Sequence, residues 1–113
     1  MIRRGDIWWA NIPPPRGSEP GCRGSVLVIQ ANEFNESDIK MVVAVIMTTN
    51  LRLAGAPGNV RCGSKETGLP RESVVNVSQV VKVDKARFTQ RVGSVPTHVL
   101  RQVEDGLRRV LGP

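Results

Sequence analysis

Three polar side chains beside apolar runs are of the types that phosphate chemistry uses. Glu19 and Arg23 lie four residues apart in "GSEPGCRGS", directly before the apolar run "VLVIQA", and Thr48 directly follows "MVVAVIM". A guanidinium can stabilise extra negative charge on phosphorus, a hydroxyl can donate a hydrogen bond and a carboxylate can accept a proton. These groups suit attack of an RNA 2′-hydroxyl on its neighbouring phosphate, but an Arg-Glu pair in a loop is also a common surface ion pair.

Other catalytic chemistries lack the residues that they need. His98 is the only histidine, so one chain cannot supply a two-histidine acid/base pair, and it lies among polar residues of a predicted helix. Cys22 and Cys62 have no second sulfur or histidine at metal-ligand spacing. The stretch "GNVRCGSK" has a serine between the glycine and lysine of a phosphate-binding loop, so a hairpin turn is predicted there. The carboxylates are scattered, and no metal or cofactor is expected.

Size and charge indicate one basic domain. The 113 residues suffice for a single core, so one domain is predicted over residues 1–113. The net charge is +6, and residues 61–113 hold ten Lys and Arg against five Asp and Glu, which favours a polyanionic partner or an acidic protein tail. No leader-like N-terminus or long apolar stretch is visible, so a cytoplasmic protein with reduced cysteines is expected, without membrane association.

Short β-rich runs separated by turn residues dominate until the period changes near the C-terminus. Strands are predicted over residues 6–10, 25–31, 41–48, 59–62, 73–76, 80–83 and 88–93. The second and third of these strands are nearly all apolar, so both of their faces are expected to be buried. From Pro96 onward apolar residues recur at helical spacing until Gly112, which predicts an amphipathic C-terminal helix. The expected fold is mainly β, a small barrel of strongly curved antiparallel strands with a C-terminal α-helix.

Four segments, in this order, resemble the MazF/PemK family of bacterial toxins. They are "RRGDIWWANIPPPRGSEPGCRGSVLVIQANEFNES", "VAVIMTTNLRLAGAPGNV", "LPRESVVNVSQVVKVDKARF" and "RVGSVPTHVLRQVEDGLRRVLG", which together cover nearly the whole chain. The resemblance implies an SH3-like barrel that works as a homodimer. It also implies a metal-independent endoribonuclease that cuts single-stranded RNA at short motifs, leaving 2′,3′-cyclic phosphate and 5′-hydroxyl ends. The partner that it implies is a cognate antitoxin whose acidic, partly disordered tail occupies the RNA groove.

The resemblance also implies roles for individual residues. The family's catalytic arginine and threonine fall on Arg23 and Thr48, and Glu19 is a third catalytic candidate. A guanidinium keeps its proton far above neutral pH, so Glu19 is the better proton acceptor, although the family's mechanism often gives the arginine that role too. The general base therefore stays open between Arg23 and Glu19. Ser18 and Gln79 match positions that line the family's RNA groove.

Other parts of the chain are open between binding and packing. Arg16 and the basic residues from position 61 to 91 are candidates for following the RNA backbone, and Asn50 is a further candidate for RNA binding. Adjacent strand residues face opposite ways, so one tryptophan of Trp8-Trp9 is expected in the core and the other toward solvent or a partner; packing is favoured for Trp8 and the role of Trp9 stays open. Gly24 replaces the proline, and Pro20 the polar residue, that the family usually has.

Two other functions are compatible with the sequence. One is a poison of DNA gyrase on the same fold, like the related CcdB toxins, which cut nothing and have no need for Arg23 and Thr48. The other is a non-catalytic RNA-binding barrel, which would bind RNA with a strong salt dependence and leave it intact.

Overall fold

The fold is built on one antiparallel sheet. The computed structural model describes residues 1–12 and 22–112. Its strands are β1 (Asp6–Ile12), β2 (Cys22–Val28), β3 (Met41–Thr48), β4 (Val60–Cys62), β5 (Ser73–Asp84) and β6 (Phe88–Ser94). They form a sheet in the order β4-β5-β3-β2-β1-β6, in which every pairing is antiparallel. The sheet curls into a half-barrel and is followed by a C-terminal helix, so the expected fold class is confirmed.

Helices and 3₁₀ turns fill the connections. The helices are α1 (Asn32–Asn35), α2 (Ser64–Thr67) and α3 (Thr97–Leu111), and 3₁₀ turns cover Leu51–Gly55 and Lys85–Arg87. The hairpin turn predicted over residues 58–65 was placed wrongly, because residues 60–62 form β4. The connection that lets β4 and β5 pair antiparallel covers residues 63–72 and contains the short helix α2, which was not predicted. No described helix has the length and apolar character needed to cross a membrane.

Hydrophobic clusters lie on both faces of the central strands. One cluster joins Leu27 and Val45 of the sheet to Val99 and Val103 of α3. The cluster on the opposite face contains Ala10, Val26, Ala44 and Val83, and the Trp8 and Phe88 rings, which meet edge-to-face, pack against it. Successive residues of a strand point to opposite faces, so a strand between two clusters must be apolar at nearly every position. The prediction that β2 and β3 are buried on both faces is confirmed.

The predicted boundary of β2 was wrong at both ends. The strand begins at Cys22 rather than Ser25, because Cys22, Arg23 and Gly24 pair with the last residues of β1. The glycine-rich composition of this stretch had indicated a loop. Arg23 therefore lies on a strand, and the ladder between Gly24 and Ala10 holds the backbone directly after it.

The two strands predicted over residues 73–76 and 80–83 are one continuous strand, β5. The ladder to β3 shifts register between Met47↔Val75 and Val45↔Val80, so residues 76–79 form a β-bulge. A bulge adds residues to one strand without ending it, which is why its polar sequence had predicted a break. Ser78 and Gln79 of this bulge are exposed.

Helix α3 packs closely against the turn before β4. A Cβ atom on Gly106 would lie 2.1 Å from the Gly58 carbonyl oxygen, so only glycine allows this approach. The helix ends at Gly112, whose φ of 83° is in the left-handed region, as the sequence predicted. Val110 and Leu111 extend the predicted apolar stripe but are exposed, because they lie in the last turn, beyond the contact at Gly106.

Replacing Gly106 tests this contact. Alanine normally stabilises a helix interior, but in Gly106→Ala the clash with backbone should lower the free energy of unfolding by about 1–3 kcal/mol. The matched control is Gly55→Ala, because nothing lies within 4 Å of a Cβ at Gly55. Urea unfolding of both variants measures the difference. Equal stability of Gly106→Ala and the wild type would contradict the described packing.

The two free cysteines lie in different surroundings. Cys22 is exposed, whereas Cys62 is buried, and burial raises the pKa of the Cys62 thiol to about 11, with a smaller contribution from the nearby Glu66. At pH 8 only about one Cys62 in a thousand is then the reactive thiolate.

Iodoacetamide at pH 8 should therefore alkylate Cys22 and leave Cys62 unmodified in the folded protein. Peptide mass spectrometry against time measures both rates, and Cys22→Ser provides a chain in which only Cys62 can react. That variant should stay unlabelled until denaturant is added. Labelling of native Cys62 at a rate comparable to that of Cys22 would contradict its burial.

Candidate active site

The Arg23 guanidinium is held by two neighbouring side chains. Its central carbon lies 4.7 Å from the centroid of the Trp9 ring, and Nη2 donates a hydrogen bond to Gln90 Oε1 at 3.3 Å. The strand register explains both contacts, because Trp9 pairs with Ser25 of β2 and with Gln90 of β6. Arg23, two residues before Ser25, is therefore the diagonal neighbour of Trp9. A cation on an aromatic face with an amide partner is restricted in direction although it is exposed.

A mostly apolar cavity of about 140 Å³ lies beside the Trp9 ring. Leu69 and Pro70 also line it, and its polar contributors include Thr49 and Arg71. This volume is close to that of cavities of roughly 150 Å³ that accept a benzene ring. Because Trp9 both lines the cavity and carries Arg23, a flat apolar group in the cavity would lie close to a fixed cation.

Thr48 lies at the end of β3, half-buried and paired with Val74. Strands β2 and β3 are neighbours, and continuing their ladder beyond Val26↔Ile46 brings Arg23 and Thr48 to the same end of the sheet. Thr48 Oγ1 accepts a hydrogen bond from the backbone N–H of Asn50 at 3.1 Å, which leaves its own hydroxyl proton free to donate elsewhere. In the part of the chain that the structure describes, no hydrogen bond joins the side chains of Arg23 and Thr48.

Thr49 was not singled out in the sequence, yet it lines the cavity together with Trp9. Strand alternation accounts for this, since Thr49 follows Thr48 and falls on the side of the sheet that holds Met47 and the larger hydrophobic cluster. The pair of adjacent threonines at the end of a predicted strand was the feature of the sequence that could have indicated Thr49 as a site residue. The site thus offers hydroxyls in two directions from one strand end.

Asn50 lies in the turn directly after this strand end, and Gln79 lies in the bulge of the neighbouring strand β5. Asn50 caps the 3₁₀ turn Leu51–Gly55, where its Oδ1 accepts from the N–H of Arg52 at 3.2 Å. Gln79 lies in the β5 bulge, and its Oε1 accepts from Asn76 Nδ2 at 2.7 Å. Three predicted site residues, Arg16, Ser18 and Glu19, lie outside the described residues.

Several cations of the basic C-terminal half are paired with carboxylates. Arg61 hydrogen-bonds Glu72, which holds the pKa of that carboxyl below its usual range, and Arg91 contacts the buried Asp6 at 3.3 Å. Among residues 1–12 and 22–112, no three His, Cys, Asp or Glu side chains are grouped so that they could hold a metal ion. His98 is exposed and 3.2 Å from Glu66, consistent with a surface role.

One member of this site was open in the sequence and another was missed. The role of Trp9 was undecided, and the structure packs Trp8 against one hydrophobic cluster and Trp9 against the other, where Trp9 also carries Arg23. Gln90 was missed because it lies 67 positions from Arg23, and only the register of β6 on β1 brings it close. Nothing in the local sequence distinguishes it from other exposed glutamines.

Comparison with known proteins agrees with the expected family. Residues 3–111 match the family described as PemK-like, MazF-like toxin of type II toxin-antitoxin system. Endoribonuclease MazF6 of Mycobacterium tuberculosis is 47% identical over 111 residues, 98% of this chain and 97% of the relative. Endoribonuclease EndoA of Bacillus subtilis is 32% identical over 108 residues, 96% and 92% of the two chains. The expected enzyme class is thereby confirmed.

Solved structures share the fold over nearly the whole chain. An endoribonuclease in complex with its cognate antitoxin, from a mycobacterial species, superposes with a TM-score of 0.81 at 21% identity, covering 99% of this chain and 96% of that one. MazF in a MazE-MazF complex from Deinococcus radiodurans gives a TM-score of 0.79 at 25% identity, covering 98% and 96%. With a family match that spans nearly all of its residues, this chain belongs to the PemK-like, MazF-like toxins of type II toxin–antitoxin systems.

Proposed function

We propose that this toxin is a metal-independent, sequence-specific endoribonuclease of single-stranded RNA, with Arg23 at its catalytic centre. The observation that carries the proposal is the fixed guanidinium of Arg23, held over Trp9 and bonded to Gln90 beside a ring-sized cavity. The endoribonuclease relatives and the net charge of +6 support RNA as the substrate. A messenger RNA in the cytoplasm is the substrate that this class of toxin would meet.

The proposed reaction uses the nucleophile that RNA itself carries. The 2′-oxygen attacks the adjacent phosphorus and loses its proton to a base, while the bond from phosphorus to the 5′-oxygen breaks and that oxygen gains a proton. The products are a 2′,3′-cyclic phosphate and a 5′-hydroxyl, and no water or redox partner is consumed. Because the nucleophile is internal, the protein needs to align it and stabilise the charge that develops on phosphorus.

Each group has a role that its chemistry permits. Arg23 donates N–H bonds to the non-bridging phosphate oxygens, which become more negative in the transition state. Thr48 lies at the same end of the sheet as Arg23 but on the opposite face from Trp9, and it donates its free hydroxyl proton to the RNA backbone that passes this strand end. Glu19 is proposed as the proton acceptor, because a carboxylate is ionised at neutral pH and a guanidinium is not free to accept a proton. Glu19 lies outside the described part of the chain. Thr49 is a second hydroxyl within reach of a group in the cavity.

The cavity beside Trp9 is proposed to hold a base of the RNA. A nucleobase is flat and largely apolar on its faces, and single-stranded RNA is read by stacking unpaired bases on aromatic side chains. A base against Trp9 would place its own phosphate near Arg23, which lies on the same ring. Base binding and phosphate alignment would then be coupled through one side chain.

The partner proposal follows from the family. Type II toxins pair with a protein antitoxin, and solved MazE-MazF complexes from Deinococcus radiodurans share this fold. We propose a cognate antitoxin whose acidic, partly disordered tail competes with RNA for the basic groove, and a homodimer as the working unit. An acidic tail is attracted to basic residues of the toxin, and a disordered tail can follow an extended surface.

Cleavage in excess EDTA tests the proposed function directly. A long single-stranded RNA should be cut at discrete sites with 5′-hydroxyl ends, and Arg23→Ala should lower kcat by roughly 100- to 1,000-fold, as for loss of one transition-state donor. Thr48→Ala should also lower kcat, with a smaller loss for Thr49→Ala. Arg101→Ala, on the exposed face of α3, is the matched control that should cut normally.

Other outcomes of that assay would contradict the proposal. RNA that is bound with strong salt dependence but stays intact would indicate a binding protein. Gyrase inhibition without RNA cleavage would indicate a gyrase poison. Cleavage that survives loss of both Arg23 and Thr48 would leave the enzyme class intact but refute the site.

The two groups that hold Arg23 should both matter for turnover. Gln90→Ala releases the guanidinium from one partner, so we expect kcat to fall by roughly 3- to 30-fold with little change in KM, whereas Trp9→Leu should lower kcat similarly and also raise KM, because the ring that the RNA base stacks on is lost. Trp8→Phe is the control, because Trp8 packs against Phe88 on the opposite face. Steady-state kinetics on a short RNA measures both constants. A rise in KM at constant kcat would contradict a transition-state role for this geometry.

A further inference from the structure

The polar residues of the β5 bulge form a hydrogen-bond relay whose direction is fixed at one end by the backbone. The N–H of Val77 donates to Asn59 Oδ1 at 3.0 Å, and Asn59 Nδ2 donates to the Leu53 carbonyl at 2.8 Å. A backbone N–H can only donate and a carbonyl can only accept. The orientation of the Asn59 amide is therefore determined, and its Nδ2 also donates to Asn76 Oδ1 at 3.2 Å.

This orientation passes to the next two side chains. Asn76 Oδ1 accepts from Asn59 and from the Ser78 hydroxyl at 3.0 Å, so the amide nitrogen of Asn76 faces Gln79. Asn76 Nδ2 donates to Gln79 Oε1 at 2.7 Å. The Gln79 oxygen is thereby occupied, and its Nε2 donates to no protein acceptor within the described residues. Asn76 is only 9% exposed, whereas Gln79 is exposed.

We propose that Asn76 is a positioning residue that fixes the Gln79 amide with its NH₂ group outward, so that Gln79 donates to a hydrogen-bond acceptor of the bound RNA. This inference rests on the proposed RNA substrate. A free glutamine amide can turn over and offer either a donor or an acceptor, and so it discriminates poorly between bases. A relay anchored on the backbone removes that choice, which makes Gln79 select for carbonyl oxygens and ring nitrogens over exocyclic amines.

The relay also links this amide to the strand end that carries Thr48. Leu53, whose carbonyl accepts from Asn59, belongs to the 3₁₀ turn that Asn50 caps, and Asn50 in turn bonds Thr48. The turn after the proposed catalytic threonine and the bulge with Gln79 therefore share one hydrogen-bonded framework. An RNA acceptor bound at Gln79 is thus held in a fixed relation to this strand end.

Reversing the relay at one atom tests the proposal. In Asn76→Asp the introduced carboxylate accepts from Asn59, Ser78 and now Gln79 Nε2, so the Gln79 amide must turn and present its oxygen outward. Three donors keep that carboxylate ionised and satisfied. Mapping of 5′-hydroxyl ends on a randomised RNA pool should show cleavage of the preferred motif reduced by roughly 3- to 10-fold relative to the wild type. This is the effect expected for the loss of one hydrogen bond.

The pattern of cleavage in Asn76→Asp shows which part of the RNA accepts the hydrogen bond from Gln79. If it belongs to a base, one motif position should shift toward bases with an exocyclic amine there, and Gln79→Glu should shift the same position in the same direction. If it belongs to a phosphate or ribose oxygen, all motifs should weaken equally. Both results support the positioning role.

A double variant separates positioning from general damage. In the Gln79→Ala background Asn76→Asp should have no further effect on motif preference or rate, because the group that it orients is gone. An equal effect of Asn76→Asp with and without Gln79 would overturn the proposal, as would an unchanged motif and rate in a variant whose thermal unfolding matches the wild type.

A readout independent of cleavage keeps this inference distinguishable from the proposed function. Hydrogen exchange of the Gln79 side-chain NH₂, followed by NMR, should be fast in the wild type and at least several-fold slower in Asn76→Asp, where that group becomes a donor inside the relay. If the wild type fails to cut RNA but this change is seen, the proposed function fails and the relay stands. Equal exchange rates would refute the relay even in an active enzyme.

Discussion

The register of three neighbouring strands is the constraint on which the proposed site depends. Strand β1 pairs Trp9 with Ser25 on one side and with Gln90 on the other, which puts Arg23 diagonally across the Trp9 ring and within reach of Gln90. A slip of one residue in either ladder would move Arg23 or Gln90 to the opposite face. The two hydrophobic clusters forbid such a slip, because each strand buries alternate residues in different clusters. The core thus determines where an exposed cation lies.

The same sheet contains a second, independent device for holding a polar group. In the β5 bulge the backbone departs from regular pairing, the Val77 N–H donates to Asn59 Oδ1 instead, and Asn59 Nδ2 in turn donates to Asn76 Oδ1. No buried side-chain nitrogen or oxygen among the described residues lacks a hydrogen-bond partner. Satisfying the bulge from within fixes the Gln79 amide at the surface. The Trp9 ring and one hydrogen bond to Gln90 orient Arg23, whereas a hydrogen-bond relay orients Gln79, and the two residues lie on different strands.

Much of the architecture could be predicted from the sequence, because its causes are local. Alternating and continuous apolar runs identified the strands, and the helical spacing up to Gly112 identified α3. The errors arose where composition and pairing disagree. Glycine-rich residues around Arg23 looked like a loop but are held in a ladder by β1, and the polar bulge of β5 looked like a break between two strands.

For the proposed site, the sequence indicated only the candidate reacting groups. Arg23 and Thr48 were identified by residue type and by family resemblance, and these do not reveal what holds them. The contacts of Arg23 with Gln90 and of Asn59 with Asn76 join residues 67 and 17 positions apart, so they depend on strand registers that no local pattern encodes. That Thr49 and Trp9 line one cavity is known only from the three-dimensional structure.

We propose that the Trp9-bound guanidinium of Arg23 stabilises the scissile phosphate. The most direct measurement is a crystal structure with an RNA that contains the cleavage motif and a 2′-deoxy sugar at the scissile position, which removes the nucleophile. We expect an Arg23 nitrogen roughly 2.7–2.9 Å from a non-bridging oxygen of that phosphate, with the adjacent base against Trp9. A scissile phosphate bound elsewhere, with Arg23 still directed at Gln90 and free of RNA, would contradict it.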